Sequence, residues 1–120
     1  MKNVKWQIGE GYHNYLNVLG KNCRFHHGHK VKFGGGVGGV TVPLYKAIYA
    51  WNQKIRADIN FNGHFHDYAC PRMDVVLNGS VIGYSPFAID IKANYQPPMQ
   101  AFCVIDRDRG LTRALPVFAR

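Results

Sequence analysis

Only one segment of this sequence repeats its apolar residues with the period of an α-helix. Because the sequence predicts so little helix, this feature constrains the fold more than any other. The segment runs from about Val42 to Arg56. Thr41 is a candidate N-cap, and Pro43 lies in the first turn, where its missing N–H costs nothing. The apolar positions follow a spacing of three and four residues: Leu44, Ala47, Ile48, Trp51 and Ile55. We expect one amphipathic helix with one buried face.

Most of the other apolar segments are short and end at turn residues, which is typical of β-strands. The predicted strands are Cys23 to His27, Asp58 to Phe61, Asp74 to Leu77, Ser80 to Gly83, Ala88 to Ala93, Gln100 to Asp106 and Leu111 to Val117. Asn78-Gly79 predicts a hairpin between the third and fourth of them. Tyr12 to Leu19 is compatible with a short helix or a strand. The sequence thus predicts the α+β class, mostly β-sheet with one main amphipathic helix.

The length and charge of the chain limit its organisation and its partners. With 120 residues, it is expected to form one domain over 1–120. The formal net charge is +8, and all of the excess lies between Met1 and Arg56. Such asymmetry favours a nucleic acid or another phosphate-bearing partner, because positive potential attracts polyanions. A solvated, solubilising surface explains the charge equally well.

Cellular location is predicted from what the sequence omits. It has no apolar segment approaching the roughly 20 residues that span a bilayer and no signal peptide, so we expect a soluble, cytoplasmic protein without membrane contact. Its 3 cysteines are distant from one another and form no C-x-x-C motif. Reduced thiols are expected.

Five of the six histidines occur in two compact clusters, His26-His27-Gly28-His29 and His64-Phe65-His66. Each cluster follows a predicted strand, where functional loops gather. Alternate residues of an extended segment point the same way, so His64 and His66 could address one metal ion, with His27 or His29 completing the site. Surface histidines that add to a basic face are the alternative. Neither the serines nor the cysteines form a recognisable nucleophile motif, which disfavours covalent catalysis.

A glycine-rich segment, Gly34 to Gly39, precedes the predicted helix. It matches G-x-G-x-x-G, but the chain contains too few βαβ units for a dinucleotide-binding fold. Its glycines could approach a site closely or hold an anion near the helix start; simple loop flexibility is as good an explanation. The candidate phosphate- or nucleic-acid-binding residues are Arg24, Lys30, Lys32, Gly35 and Gly36.

Three segments together resemble the C-terminal half of the calcineurin-like metallophosphoesterases, particularly the compact forms of bacteriophages. They are His27-Gly28-His29, Gly63-His64-Phe65-His66 and Asn78-Gly79-Ser80. The similarity covers about Cys23 to Gly110. It implies that His27 and His64 share one divalent transition metal (zinc, manganese or iron), that His66 binds a second, and that His29 lies by the substrate phosphate as the catalytic residue.

The D-x-H, G-D-x-x-D and G-N-H elements of that family are absent from this sequence. Two-metal phosphoryl transfer needs a bridging ligand, and three histidines could hold only one ion. The chain also contains only the second sheet and one helix of the family sandwich, so we expect one bare sheet face. A separate N-terminal half chain or a homodimer would cover it.

Three functions remain open at this point. The first is a metal-dependent phosphoesterase portion that acts on nucleic-acid or nucleotide phosphodiesters and is completed by a partner chain, in the host cytoplasm if a phage encodes it. The second is a non-enzymatic truncated module that binds nucleic acid or a host protein. A stand-alone single-metal nuclease with a histidine base ranks last.

Overall fold

Seven strands and two helices form within residues 3–9, 11–32 and 35–119, the part of the chain that the computed structural model describes. The strands are β1 (His13–Val18), β2 (Lys21–His26), β3 (Ile59–Asn62), β4 (Ala69–Arg72), β5 (Val75–Leu77), β6 (Met99–Asp106) and β7 (Gly110–Phe118). The helices are α1 (Thr41–Asn52) and α2 (Pro86–Asp90). Neither of these two helices is long and apolar enough to cross a lipid bilayer. The predicted α+β class, dominated by sheet, is confirmed.

The main sheet has five strands in the order β1-β2-β3-β5-β4. Strands β2, β3 and β5 are parallel, and β1 and β4 flank them as antiparallel edge strands. The register pairs His26 with Asn62 and Asn62 with Leu77. The carboxyl ends of the three parallel strands therefore meet at one edge of the sheet, and the segments that follow them start side by side.

The two faces of this sheet carry separate apolar clusters. On one face α1 packs Leu44 and Ile48 against Val75 and Leu77. On the other face Leu111 of the antiparallel β6–β7 hairpin packs against a cluster of sheet residues: Cys23, Ile59 and Val76. Successive residues Val75 and Val76 thus face opposite layers, as the pleat of a strand requires.

The expectation of a bare sheet face is wrong, because β6 and β7 fold over the main sheet rather than extend it. The homodimer stays a prediction, but it can no longer be inferred from a bare sheet face. The uncovered apolar surface is instead the outer side of the β6–β7 hairpin. It exposes one side chain at every second position: Phe102, Val104, Leu115 and Val117.

The predicted helix begins close to the expected residue but ends earlier. It ends at Asn52 rather than Arg56, and its N-cap is Val40 rather than Thr41, with no side-chain cap from the described residues. Ile55, expected in the buried stripe, is exposed. Its carbonyl oxygen accepts a hydrogen bond from Arg24 instead. Tertiary contacts therefore set the end of the helix.

Two predicted strands are wrong for identifiable reasons. Asn78-Gly79 makes no hairpin, because the Asn78 side chain is committed to β6: its Oδ1 accepts from the Ala101 N–H at 2.7 Å and its Nδ2 donates to Gln100 at 2.8 Å. Residues 80–83 form no strand. The segment 88–93 is not a strand either, since α2 begins at Pro86 with Ser85 as its N-cap. That Ser-Pro pair is a recognised helix start.

For two further elements the sequence pattern offered either no decision between helix and strand or no prediction. The segment Tyr12 to Leu19, open between helix and strand, contains strand β1 (His13–Val18), and β4 was not predicted. None of the three cysteines, all of which are described, is in a disulfide, as expected.

Candidate functional site

The two histidine motifs meet at the carboxyl edge of the main sheet. His27-Gly28-His29 follows β2, and Gly63-His64 follows the adjacent parallel strand β3. The His27 and His64 ring centroids are 5.1 Å apart, and those of His27 and His29 are 5.5 Å apart. Three of the four predicted site histidines thus converge, because neighbouring parallel strands deliver them to the same place.

Gly28 permits this close approach of the two loops. It has φ +107°, and a Cβ at this position would lie 2.7 Å from the carbonyl oxygen of Gly63. The same φ is disfavoured for any residue with a Cβ. The glycine of H-G-H is therefore required by both conformation and space.

Replacing Gly28 with alanine is expected to destabilise the protein by about 2 kcal/mol, through the positive φ and the contact with the Gly63 backbone. Urea denaturation measures this change. The matched control is Gly36→Ala, because no described atom lies within 4 Å of that Cβ position and its φ is not positive. Equal stability of the two variants would contradict the assigned role of Gly28.

The second motif is a turn rather than an extended segment. His64 and His66 have φ values of 72° and 53°, and the Phe65 N–H donates to the Gly63 carbonyl at 2.9 Å. The prediction that alternation along a strand aims both histidines at one ion is therefore wrong. The His66 ring packs on Phe87 of α2, with centroids 5.1 Å apart. Its Nδ1 is buried without a hydrogen-bond partner among the described residues.

The surroundings of His64 favour its neutral form. Burial lowers its pKa from 6.5, and the neighbouring His27, His29 and His66 lower it further. A neutral imidazole offers the lone pair that a metal or a proton needs. Asp67, the acid next to the motif, is committed elsewhere, since its carboxylate accepts from Asn94 and Gln96.

The fit of this site to a metal is partial. The donor chemistry is right, because imidazole nitrogens suit zinc and related metals, and the unpartnered Nδ1 of His66 is a buried acceptor or donor still to be satisfied. However, no three His, Cys, Asp or Glu side chains in the described ranges are arranged to hold an ion. A complete metal centre needs further ligands or a rearrangement of these loops.

A cleft of ≈ 570 Å³ opens beside the histidines. His27 and Gly63 lie at one side, and Phe25 stacks on Phe61 along its wall with ring centroids 4.9 Å apart. Asn62, in register with His26 and Leu77, turns its side chain to the opposite face of the sheet, toward α1. It is 2% exposed, and neither its Nδ2 nor its Oδ1 has a partner among the described residues. Asn62 was not among the residues predicted from the sequence, although it ends β3 immediately before G-H-x-H.

Arg24 is not a phosphate-binding residue. It is 0% exposed, and its guanidinium donates to Asn60, Asn52, the Ile55 carbonyl and the Tyr15 hydroxyl. A side chain with its donors used inside the protein cannot reach a ligand outside. The sequence could not show this, because an arginine is usually exposed.

The other predicted phosphate-binding residues are on the surface. Lys30 and Lys32 are exposed, and the Lys30 Nζ lies 4.7 Å from the centroid of the Tyr12 ring. Gly35 and Gly36 are exposed with no described atom near their Cβ positions, so they make no close approach. Gly34 lies outside the described residues. The two lysines and the two described glycines therefore stay candidate phosphate contacts.

A second histidine pair lies behind the site and was not predicted. His13 and His26 face each other across the β1–β2 ladder with ring centroids 4.9 Å apart, and both pack on Trp51. His26 is 5% exposed, and neither ring nitrogen has a partner in the described part of the chain. Burial, followed by the nearby His13, lowers the pKa of His26 to about 4. Burial lowers the pKa of His13 as well, so the neutral form of both rings is favoured.

Comparison with known proteins identifies the fold. No protein-family model and no curated protein matches this sequence. Two solved structures do, both of Vps29 from Entamoeba histolytica: the wild type complexed with zinc (TM-score 0.58, 17% identity over 93% of this chain) and a single mutant (TM-score 0.58, 16% identity over 96%).

Vps29 has the calcineurin-like metallophosphoesterase fold, so the resemblance drawn from the histidine motifs is confirmed at the level of the fold. The chain spans only 63% and 66% of the length of those two proteins. The correspondence to a C-terminal half and the bacteriophage type stay predictions.

Proposed function

We propose that this chain is the histidine-bearing portion of a metal-dependent phosphoesterase whose remaining ligands come from another polypeptide. The observation that carries the proposal is the convergence of His27, His29 and His64 at adjoining strand ends. Imidazoles alone are an incomplete ligand set for phosphoryl transfer, which uses bridging carboxylates or equivalent groups.

In this proposal His27 and His64 hold one divalent ion and His66 belongs to a second. The lowered pKa of His64 supports its role, because only the neutral ring binds a metal. The zinc in the crystal structure of the related fold makes zinc the first metal to test, with manganese and iron as the others. When bound, such an ion polarises the phosphoryl oxygens and lowers the pKa of a coordinated water. The proposal gives His29, which is exposed beside His27, the role of exchanging a proton with the substrate.

The proposed substrate is a nucleic-acid or nucleotide phosphodiester. The net charge of +8 attracts phosphates, and the exposed Lys30 follows the H-G-H segment directly. The proposed partner is an acidic polypeptide that corresponds to the third of the related fold with no counterpart here, or a second copy of the chain. The apolar outer side of the β6–β7 hairpin is an additional surface that such a partner would cover.

A non-enzymatic binding module is the alternative, and one specific observation favours it. No described group of three side chains is arranged to hold a metal. Hydrolysis of a generic phosphodiester, bis(p-nitrophenyl) phosphate, in the presence of zinc or manganese separates the two. Activity that appears when the chain is co-expressed with a polypeptide carrying D-x-H and G-D-x-x-D elements supports the enzyme. Its absence in every combination supports the module.

Zinc binding is expected to depend on the motif histidines. Because each imidazole supplies one ligand bond, His64→Ala and His66→Ala should weaken zinc binding by about a hundredfold, or about 2.7 kcal/mol. Calorimetric titration of the metal-free chain measures this. His13→Ala is the control, since His13 packs on Trp51 and lies in the other histidine pair. The same affinity in all three variants would show that zinc binds elsewhere.

A further inference from the structure

A second cavity, of ≈ 380 Å³, lies between β1 and the end of α1. Its walls are largely aromatic, since Tyr12, Tyr15 and Trp51 line it. The His13 ring, also in the lining, packs on Trp51 with centroids 4.4 Å apart. A volume of this size is in the range of small-molecule sites. The cavity therefore offers aromatic surface to a flat ring, and its lining includes none of the histidines of the proposed metal site.

A buried positive charge lies behind two of these rings. The guanidinium carbon of Arg24 is 5.5 Å from the centre of the Tyr15 ring and 5.6 Å from that of the Trp51 ring. Its hydrogen bonds go to neutral groups: two asparagine side chains, a backbone carbonyl and the Tyr15 hydroxyl. Among the described residues the one salt bridge is elsewhere, between Arg72 and Asp74. Because buried charges are normally paired, the positive potential of Arg24 is available to an anion.

Two groups of the cavity lining can hold that anion. The Tyr15 hydroxyl accepts from the Arg24 Nε at 3.2 Å, and no described residue accepts its own proton, which is free to be donated. Lys54 adds an exposed ammonium group to the lining. No acidic side chain of the described residues lines the cavity. Aromatic walls, two hydrogen-bond donors and positive potential thus occur in one place.

We propose that this cavity binds a small aromatic carboxylate, with its ring against the aromatic walls and its carboxylate bonded to the Tyr15 hydroxyl and the Lys54 ammonium. Aromatic walls alone would also suit a quaternary ammonium group. Arg24 and Lys54 disfavour that ligand, because both repel a cation. The proposal goes beyond the phosphoesterase function and uses none of its metal ligands, so the two are tested separately.

Three probes with the same ring separate charge from stacking: indole-3-acetate is an anion, tryptophol is neutral and tryptamine is a cation. In calorimetry at neutral pH, indole-3-acetate should bind about tenfold more tightly than tryptophol, because charge-assisted hydrogen bonds are stronger than neutral ones. Tryptamine should bind most weakly of the three. Acetate, which has the charge without the ring, measures the general attraction of a basic protein for anions and should bind more weakly than indole-3-acetate by at least about tenfold.

Two variants locate the carboxylate. Tyr15→Phe and Lys54→Gln should each reduce the affinity ratio of indole-3-acetate to tryptophol severalfold, because each removes one donor to the anion. Tyr15→Phe also takes an acceptor from Arg24, whereas Lys54 is exposed, so Lys54→Gln keeps the test valid if Tyr15→Phe does not fold. Lys46→Gln is the control: it removes the same charge from an exposed position of α1 outside the cavity lining and should retain the tenfold ratio.

Equal affinity of the wild type for indole-3-acetate and tryptophol overturns the site, as does tighter binding of tryptamine or a tenfold ratio that survives both Tyr15→Phe and Lys54→Gln. The indole N–H resonances of the two tryptophans report where the probe binds. Indole-3-acetate should shift the resonance of Trp51, and a shift confined to Trp6, which is 81% exposed, also overturns the site. Absence of phosphodiester hydrolysis leaves these affinities unchanged and counts against the proposed function alone.

Discussion

Replacing Arg24 with alanine is expected to lower the free energy of unfolding by about 4 kcal/mol, because it removes a buried hub of hydrogen bonds. Its guanidinium joins β3 through Asn60, the end of α1 through Asn52 and the Ile55 carbonyl, and β1 through Tyr15. Truncation leaves these groups buried without their donor and opens a cavity between the sheet and α1. Chemical denaturation followed by circular dichroism measures the loss.

The control for Arg24 is Arg113→Ala, which alters an exposed arginine of β7 and should change stability by no more than about 0.5 kcal/mol. If Arg24→Ala were as stable as Arg113→Ala, Arg24 would not be a structural hub. A loss of DNA binding without any loss of stability would return Arg24 to the set of phosphate contacts.

Acidification is expected to lower the free energy of unfolding by about 3 kcal/mol through His26 alone. The pKa of His26 is about 4 in the folded protein, whereas its ordinary value is 6.5. Between these two values the unfolded chain binds the proton and the folded chain does not. Acid therefore stabilises the unfolded state, and the free energy of unfolding falls as the pH decreases from 6.5 to 4. Below the folded pKa the His26 contribution no longer changes.

The matched variant for this effect is His26→Leu, which removes the titrating ring and both of its unpartnered nitrogens. Its free energy of unfolding at pH 7 should equal or exceed that of the wild type, and its loss between pH 7 and pH 4 should be smaller by about 3 kcal/mol. Burial also lowers the pKa of His13 and of His64, so some acid sensitivity remains. Parallel pH profiles of the two proteins would show that His26 is not the source.

The elements found from the sequence are those whose pattern is local. The stripe of Leu44, Ile48 and Trp51 predicts α1 because a helix buries residues three and four apart. Gln100 to Asp106 and Leu111 to Val117 are confirmed as β6 and β7, since two short segments rich in strand-forming apolar residues and separated by a turn favour a hairpin. By contrast, the hairpin predicted at Asn78-Gly79 does not form, because the Asn78 side chain pairs with β6, a segment more than twenty residues away.

Some features of the candidate site follow from local sequence, and others depend on the tertiary structure. The sequence by itself determined that His27 and His64 follow two strands, and this sufficed to bring them together once those strands proved parallel neighbours. Only the tertiary structure decided that Arg24 is internal, that the hairpin forms the second layer, and that Asn62 is buried without a partner among the described residues. Burial and partnership depend on which distant segments pack against a residue, and a residue's own sequence neighbours carry no information about those segments.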